Sequence, residues 1–355
     1  MQIHLVNPSD VSFGTGVLTP RWLYVLAGAT PPAYGNPRIT DETLQPFDPE
    51  AVRPGDVVGI GIHTSNAHRG YAVGQMVRQR GGVPVFGGIH ATLYPEEPLQ
   101  CGGAAAVVRG DGDLVWASVL ADSERGRVRP LYEGGMIDAK HFASARWDLM
   151  PAGFYMWASV QTVRGCPKHC SFCSVWRTDG RFPRQRPVAD VIEEVVALRR
   201  LGYRFIALAD DNFYSVSLDD LRRESLREDP SRHRNLLALR EERFHLMRQL
   251  ARVSGDMVFY TQITMEAAED DAFLQAMREA RIMGALVGVE SITAEGLKST
   301  YKSFNATGED LVERLQRFRR FDIHVLGSFI FGLPGDSPDT FDATAELADR
   351  AGLTF

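Results

Sequence analysis

The sequence lacks long apolar runs and any excess of basic charge. Its most apolar stretches, such as 57–62 and 285–289, are far shorter than the roughly 20 residues that cross a bilayer. No basic segment followed by an apolar one opens the chain, so we predict no membrane span, no signal peptide and a cytoplasmic location. Thirty-nine Lys and Arg against 45 Asp and Glu give a formal net charge of -6, which does not favour nucleic acid as a partner.

Cysteine is scarce, with four residues in 355, and three of the four lie between positions 166 and 173. Cysteines this close together cannot pair productively with one another, so a disulfide framework is excluded. We interpret Cys166, Cys170 and Cys173 as metal ligands in a reducing compartment. The remaining Cys101 is predicted to be a small buried apolar residue.

The length predicts two domains, at about 150 residues per domain. Over residues 1–122, short apolar runs alternate with helical segments, which is typical of a parallel sheet with crossover helices. The predicted strands are 3–6, 57–62, 83–86 and 105–108. We therefore expect an N-terminal α/β domain of Rossmann-like type.

A stretch over 123–155 is rich in Gly, Pro and Arg and has no sustained periodicity, so we predict a linker there. Five more strands follow within 156–355, each succeeded by helical sequence: 160–163, 205–209, 257–264, 285–289 and 324–331. The charged segment 218–253 is predicted to be an insertion packed on the barrel exterior. Residues 353–355 resemble the start of a sixth strand, so the second domain is predicted to be a partial (β/α)6 barrel, truncated at the C-terminus.

The clustered cysteines have C-x3-C-x2-C spacing and follow an apolar strand. Three thiolates at this spacing can bind three irons of a 4Fe-4S cluster and leave the fourth iron open for a substrate. The alternatives are a structural zinc site, with His169 or Cys101 as fourth ligand, and an inert set of core cysteines.

This pattern, with Phe172 as an aromatic residue before the last cysteine, resembles the radical S-adenosylmethionine superfamily. The resemblance extends over 160–355 and implies that the cluster binds and cleaves S-adenosylmethionine. It also implies S-adenosylmethionine contacts from Phe172 and from residues at the ends of the second, fourth and fifth barrel strands: Asp210, Asp211, Asn212, Glu290, Ser291 and Gly332. Polar residues at strand C-termini point into the mouth of a βα barrel, and Gln262 on the third strand is a further candidate. Taken singly, the Asp-Asp-Asn run and Glu290 are also typical of turns or helix caps.

Two glycine-containing loops follow predicted strands in the first domain, GGIHATLYPEE at 87–97 and RGDGD at 109–113. Glycines there let the backbone approach a bulky ligand, and open α/β sheets bind ligands beyond their strand C-termini. The loops resemble the cobalamin-binding domain of cobalamin-dependent radical S-adenosylmethionine enzymes. The resemblance implies cobalamin contacts from Gly87, Gly88, His90, Thr92, Gly110, Asp111 and Gly112. The alternative is a domain that binds another ligand or none, with His63, His68 and His90 as ordinary loop residues.

These resemblances imply a cobalamin-dependent enzyme that methylates an unactivated carbon of a small-molecule, lipid or peptide substrate. They also imply an external electron donor such as flavodoxin or ferredoxin. The alternatives are a cobalamin-dependent oxidative cyclase or ring-rearranging enzyme, and a noncatalytic zinc or iron-sulfur module. A methylthiotransferase needs a second cysteine cluster in the first domain, which Cys101 alone does not provide.

Overall fold

The computed structural model describes residues 1–305 and 307–354, and the chain divides into two compact units, Met1–Ser159 and Val160–Phe355. The strands are β1 (Ile3–Asn7), β2 (Gly16–Leu18), β3 (Arg38–Asp41), β4 (Val57–Gly61), β5 (Val83–Gly87), β6 (Ala106–Gly110), β7 (Leu131–Gly135), β8 (Tyr155–Val160), β9 (Val163–Arg164), β10 (Arg184–Gln185), β11 (Phe205–Leu208), β12 (Val258–Ile263), β13 (Ile282–Glu290) and β14 (His324–Phe329). The helices are α1 (Arg21–Ala29), α2 (Ala67–Gln79), α3 (Ile89–Leu93), α4 (Glu96–Cys101), α5 (Trp116–Glu124), α6 (Val175–Thr178), α7 (Val188–Arg200), α8 (Leu218–Ser225), α9 (Ser231–Val253), α10 (Asp271–Glu279), α11 (Ala294–Ser299), α12 (Gly308–Arg320) and α13 (Pro338–Ala351).

The first unit contains a parallel sheet in the order β3-β1-β4-β5-β6-β7. This is the flavodoxin-like order with one added strand, and the strand order reverses between β1 and β4. Strands buried on both faces are apolar along their whole length, as Val57, Val58 and Ile60 illustrate. The four strands predicted from sequence correspond to β1, β4, β5 and β6, which confirms the α/β class of this unit.

The segment 123–155, predicted as a linker, belongs to the first unit in the structure. It contains β7, whose Tyr132 is 1% exposed, and a short helical turn whose Trp147 packs on Tyr24 with ring centroids 4.9 Å apart. The segment is folded because a few aromatic anchors bury it, and such anchors leave no periodic pattern in the sequence.

The second unit contains the parallel neighbours β11, β12, β13 and β14, with crossover helices between them, which is the expected βα barrel pattern. The end of β8 adjoins β11, where the Ala209 amide donates to the Val160 carbonyl oxygen at 2.8 Å. The predicted start of another strand at 353–355 falls partly outside the described residues, because Phe355 is not described. The Thr354 amide donates to the Val325 carbonyl oxygen of β14 at 3.1 Å.

The charged segment 218–253 forms α8 and α9. Helix α9 packs against α7 and α10, and it is the crossover helix that joins β11 to the parallel strand β12. Its buried residues, Arg243, Leu246, Met247 and Leu250, form a narrow stripe at helical spacing. The segment therefore contains a crossover helix of the sheet, and Met247 and Leu250 had already indicated an amphipathic helix in the sequence.

Two further predictions from the sequence concern a membrane span and the burial of Cys101. Within residues 1–305 and 307–354, no helix combines the length and the apolar character that crossing a bilayer requires. The prediction that Cys101 is buried is wrong. Cys101 ends the short surface helix α4, where its side chain is exposed.

Candidate active site

The loop between β9 and α6 carries the three clustered cysteines, and the thiols of Cys166, Cys170 and Cys173 are free. The loop begins at Gly165, whose φ is +91°. A Cβ at this position would lie 2.7 Å from the carbonyl oxygen of Phe182, so the turn requires glycine. The Cys166 amide then donates to the Gly180 carbonyl oxygen at 3.1 Å, which fixes the first cysteine of the loop.

The cysteine loop carries three thiols, the number that binds three irons of a 4Fe-4S cluster. Among the described residues, no group of three His, Cys, Asp or Glu side chains converges closely enough to bind a single metal ion. A cluster takes one thiolate per iron and does not require that convergence. His169, the alternative zinc ligand, instead stacks on Tyr301 with ring centroids 5.6 Å apart. Burial raises the pKa of the Cys166 thiol to about 11, so iron must displace a proton on binding.

Asp210, which follows β11, is fully buried and is directed at the strand segment before the cysteines. Its carboxylate accepts hydrogen bonds from the Thr162 amide and the Thr162 hydroxyl, both at 2.5 Å, and from the Val163 amide at 2.9 Å. Arg243 supplies a countercharge, with Nη1 3.8 Å from Asp210 Oδ2. Asp210 therefore fixes the backbone that leads into the cysteine loop.

Asp211 and Asn212 continue this role. Asp211 Oδ2 accepts from the amide of Gly165 at 2.6 Å, immediately before the first cysteine. Burial, together with the nearby Asp179 carboxylate, raises the pKa of Asp211 to about 7. Asn212 Oδ1 accepts from the Thr264 amide at 3.2 Å, which ties the end of β11 to the end of β12. The Asp-Asp-Asn run thus lies where the sequence predicted it, and its side chains bind backbone amides.

Glu290 ends β13 with a φ of +68° and is 5% exposed. Its carboxylate pairs with Lys302 Nζ at 2.7 Å, and the same ammonium donates to the Gly288 carbonyl oxygen at 3.1 Å. Ser291 is also buried, and its hydroxyl lies 3.1 Å from the Thr293 hydroxyl. Sequence analysis missed Lys302, because an isolated lysine after a helix carries no signal that it folds back onto a strand end.

Three other residues predicted to contact S-adenosylmethionine are exposed to solvent rather than buried. Phe172 is 51% exposed, and Gln262 is exposed on β12 opposite Leu286 of β13. Gly332 has a φ of +87°, and its amide donates to Asp336 Oδ2 at 2.9 Å. These three positions are therefore available to a ligand at the cysteine end of the sheet.

In the first unit, two glycines of the predicted cobalamin loops are required by the protein's own backbone. Gly88 has a φ of +95°, and a Cβ there would lie 2.6 Å from the carbonyl oxygen of Ile62. Gly110 has a φ of +84°, and a Cβ there would lie 2.5 Å from the carbonyl oxygen of Gly135. The Gly110 amide donates to the Thr92 hydroxyl at 3.1 Å, which links the loops after β5 and β6.

The other two glycines leave room for a Cβ at ordinary van der Waals distances. A Cβ at Gly87 would meet nothing closer than 4.0 Å, and a Cβ at Gly112 nothing closer than 3.8 Å. Asp111 precedes Gly112 and is buried, and its Oδ2 accepts from the Ile137 amide at 2.9 Å. Exposed apolar side chains follow β5 and β6, namely Ile89, Tyr94 and Leu114. Exposed apolar surface at the carboxyl edge of a parallel sheet indicates a ligand site.

His90 is buried at this edge, and its ring is held from both sides. Nε2 lies 3.0 Å from the Tyr71 hydroxyl and 3.1 Å from Glu97 Oε2, while Nδ1 lies 3.2 Å from the Thr64 hydroxyl. The hydrogen bonds from His90 and Tyr71 lower the pKa of Glu97, so Glu97 stays ionised as the partner of the ring. Tyr71 was missed in the sequence, where it belongs to no motif, and Glu97 lies in the quoted loop 87–97 but was not singled out there.

Comparison with curated proteins identifies several methyltransferases among the relatives of the chain. An uncharacterized methyltransferase of Pyrococcus horikoshii is 26% identical over 88% of this chain. Bacteriochlorophyllide d C-12(1)-methyltransferase of Chlorobaculum tepidum is 25% identical over 91% of this chain. The chain spans 66% of the length of each of these relatives.

Among solved structures, the chain resembles the radical S-adenosylmethionine methyltransferase TsrM from Kitasatospora setae. The TM-score is 0.74 at 18% sequence identity, and the match covers 99% of this chain and 72% of TsrM. Structures of TsrM contain cobalamin and a 4Fe-4S cluster, or tryptophan and an S-adenosylmethionine analogue. The likeness shows that the two proteins share a fold. The family model of the Radical SAM superfamily matches residues 160–348, more than half of the sequence, and the chain therefore belongs to that superfamily.

Proposed function

We propose that this chain forms the cofactor-binding part of a cobalamin-dependent radical S-adenosylmethionine enzyme that methylates an unactivated carbon. The observation that carries the proposal is the loop of three free thiols, which the carboxylates after β11 fix at the end of a parallel βα sheet. Support comes from the open, apolar carboxyl edge of the first sheet and from the methyltransferases among the relatives.

Each group of residues has a separate task in this proposal. When bound, the cluster supplies an electron to the sulfonium of S-adenosylmethionine, and cobalamin supplies the methyl group. The cluster ligands are Cys166, Cys170 and Cys173, and the accessible S-adenosylmethionine contacts are Phe172, Gln262 and Gly332. The buried side chains of Asp210, Asp211, Asn212, Glu290 and Ser291 shape that pocket. Cobalamin would lie over the edge formed by Gly87, Gly88, His90, Thr92, Gly110, Asp111 and Gly112.

The partners follow from the same chemistry. We propose a small-molecule, lipid or peptide substrate, without nucleic acid, and an external one-electron donor such as flavodoxin or ferredoxin. A low-potential cluster needs a reducing compartment, which agrees with free cysteines and favours the cytoplasm.

The first test measures assembly of the iron-sulfur cluster. Iron and sulfide are determined after anaerobic reconstitution of the parent chain, Cys170→Ala and the control Cys101→Ala. We expect a 4Fe-4S content in the parent and the control, and a loss of most iron and sulfide in Cys170→Ala, because each thiolate binds one iron. About one zinc per chain without sulfide, the stoichiometry of a structural zinc site, would contradict the proposal.

The same preparations are then assayed for turnover of S-adenosylmethionine with a strong reductant and an extract that contains substrate. A methylase consumes S-adenosylmethionine in two ways, so we expect both S-adenosylhomocysteine and 5'-deoxyadenosine. Sustained 5'-deoxyadenosine with an unmethylated product and no S-adenosylhomocysteine would favour the oxidative cyclase instead.

A further inference from the structure

We propose that Arg243 of α9 is a positioning residue for the cysteine loop. It acts through Thr162 and Asp210, which hold the backbone that leads to Cys166. The inference rests on the proposed function, because it assumes that the cysteines bind an iron-sulfur cluster.

Arg243 reaches this backbone from a crossover helix. Its side chain is 2% exposed, although it carries a charge. Nη1 donates to the Thr162 hydroxyl at 2.6 Å, and Nη2 donates to the Thr162 carbonyl oxygen at 3.2 Å. The guanidinium lies over the ring of Phe213, 5.0 Å from its centroid. A rigid fork with two contacts to one residue fixes both the side chain and the backbone of Thr162.

The Thr162 hydroxyl joins the two buried charges. Its single proton goes to Asp210 Oδ2 at 2.5 Å, and its oxygen accepts from Arg243. Asp210 also accepts from the amides of Thr162 and Val163. Removing one partner of a buried ion pair leaves an uncompensated charge, which is more costly than the loss of the contact alone. Without Arg243, Asp210 would lose its countercharge, and a protonated or displaced Asp210 would accept more weakly from the amides of residues 162 and 163.

The backbone that Asp210 and Asp211 hold leads directly to Cys166, the first cluster ligand. The amides of Thr162 and Val163 are held by Asp210, and the amide of Gly165 is held by Asp211. Cys166 is the next residue. Arg243 therefore stabilises the loop geometry into which the cluster is assembled, without being a cluster ligand itself.

A matched control lies one turn earlier on the same helix. Arg240 pairs with Asp270 at 2.6 Å and lies over the ring of Phe244, 4.9 Å from its centroid. Asp270 also accepts from the Tyr214 hydroxyl at 2.9 Å. Arg240 thus makes the same kinds of contact as Arg243, but these contacts involve neither Thr162 nor Asp210.

The experiment compares the full-length parent with Arg243→Met, Arg240→Met and Thr162→Val. Thermal unfolding is measured without cofactors, iron and sulfide after anaerobic reconstitution, and the electron paramagnetic resonance spectrum of the reduced cluster with and without S-adenosylmethionine. We expect both arginine variants to unfold at lower temperature. Only Arg243→Met and Thr162→Val should lose at least half of the cluster or change the spectral response to S-adenosylmethionine.

Thr162→Val keeps the shape of the side chain and decides the question if Arg243→Met does not fold. The inference is overturned if Thr162→Val, or a folded Arg243→Met, retains the cluster content and spectrum of Arg240→Met. A parent chain that assembles no iron-sulfur cluster would instead overturn the proposed function, and this inference with it.

Discussion

At the residue scale, Gly88 and Gly112 belong to the same predicted ligand edge but are constrained differently. Gly88 has left-handed backbone geometry and would place a Cβ against the Ile62 carbonyl oxygen, whereas a Cβ at Gly112 would make only an ordinary contact with Leu26. We therefore expect Gly88→Ala to lower the free energy of unfolding by about 2 kcal/mol, and Gly112→Ala to change it little. Urea unfolding of the cofactor-free protein measures both changes. Equal stabilities for the two variants would contradict the close contact at Gly88.

Because a Cβ at Gly112 would clash with nothing, Gly112 is a better site than Gly88 for a side chain that blocks a ligand. A Gly112→Trp variant should fold like the parent but bind hydroxocobalamin at least tenfold more weakly, a difference of about 1.4 kcal/mol or more. The control is Ser118→Trp, which adds the same bulk at an exposed position of α5. Unchanged affinity for Gly112→Trp in a visible-absorption titration would place the cobalamin site elsewhere.

The sequence predicts some of these residues and not others for a physical reason. The cysteine spacing is local, so the cluster loop is recognisable from three positions in one segment. The Asp-Asp-Asn run was placed correctly at a strand end, but its bonds to Thr162 and Gly165 cross 45 or more residues of chain. Lys302, Arg243 and Tyr71 contribute through contacts that arise only when distant segments pack together, and no local pattern marks them.

At the element scale, Glu42 ties the end of β3 to α2. Its carboxylate accepts from Arg69 Nε at 2.8 Å and Arg69 Nη2 at 2.6 Å, and from the amides of Phe47 and Ser9. Burial acts to raise the pKa of Glu42, but the bonds from Arg69 and the two amides outweigh it and lower the pKa below its usual value. These bonds form beside the point where the strand order of the first sheet reverses.

The lowered pKa of Glu42 has a defined sign for stability. Its contribution is present above the ordinary glutamate pKa of about 4.5 and is lost as the pH falls through the lower value of the folded state. Glu42→Gln should cost about 2 kcal/mol near neutral pH and less in acid, because hydrogen bonds to a charged group are the strong ones.

Urea midpoints of the cofactor-free protein near neutral pH and in acid test this expectation. Glu50→Gln is the control, since the pair of Glu50 with Arg80 is largely exposed and contributes little. A loss of stability that is the same at both pH values would show that the charge on Glu42 is not responsible.

Elements with regular apolar spacing were predictable, and elements defined by a few anchors were not. Four of the five predicted strands of the second domain correspond to β11, β12, β13 and β14, and their apolar runs marked them in the sequence. The fifth, at 160–163, instead covers the end of β8 and the start of β9. By contrast, β3 and β7 were missed. Only Asp41 of β3 and Tyr132 of β7 are buried, so neither strand has a continuous apolar run.

At the scale of the whole molecule, the chain combines two α/β units, each containing a sheet of parallel strands, as its alternating sequence pattern predicted. The division between them lies at Ser159 and Val160, later than the end of the predicted linker at residue 155. Sequence periodicity detects regular elements, but irregular segments can also be packed and buried. For this reason the predicted linker at 123–155 and the division between the compact units differ in position.

Tryptophan, the main intrinsic fluorophore, is distributed unequally between the two units. Of its five tryptophans, Trp176 alone lies in the second unit. Its Nε1 donates to the carbonyl oxygen of Cys170 at 3.1 Å, within the cysteine loop. An iron-sulfur cluster absorbs light broadly and quenches the fluorescence of a nearby indole. Cluster assembly should therefore dim the emission of the parent by more than that of Trp176→Phe, so that one intrinsic fluorophore reports loading of the radical site. Equal dimming in both proteins would mean that the cluster is assembled away from this loop.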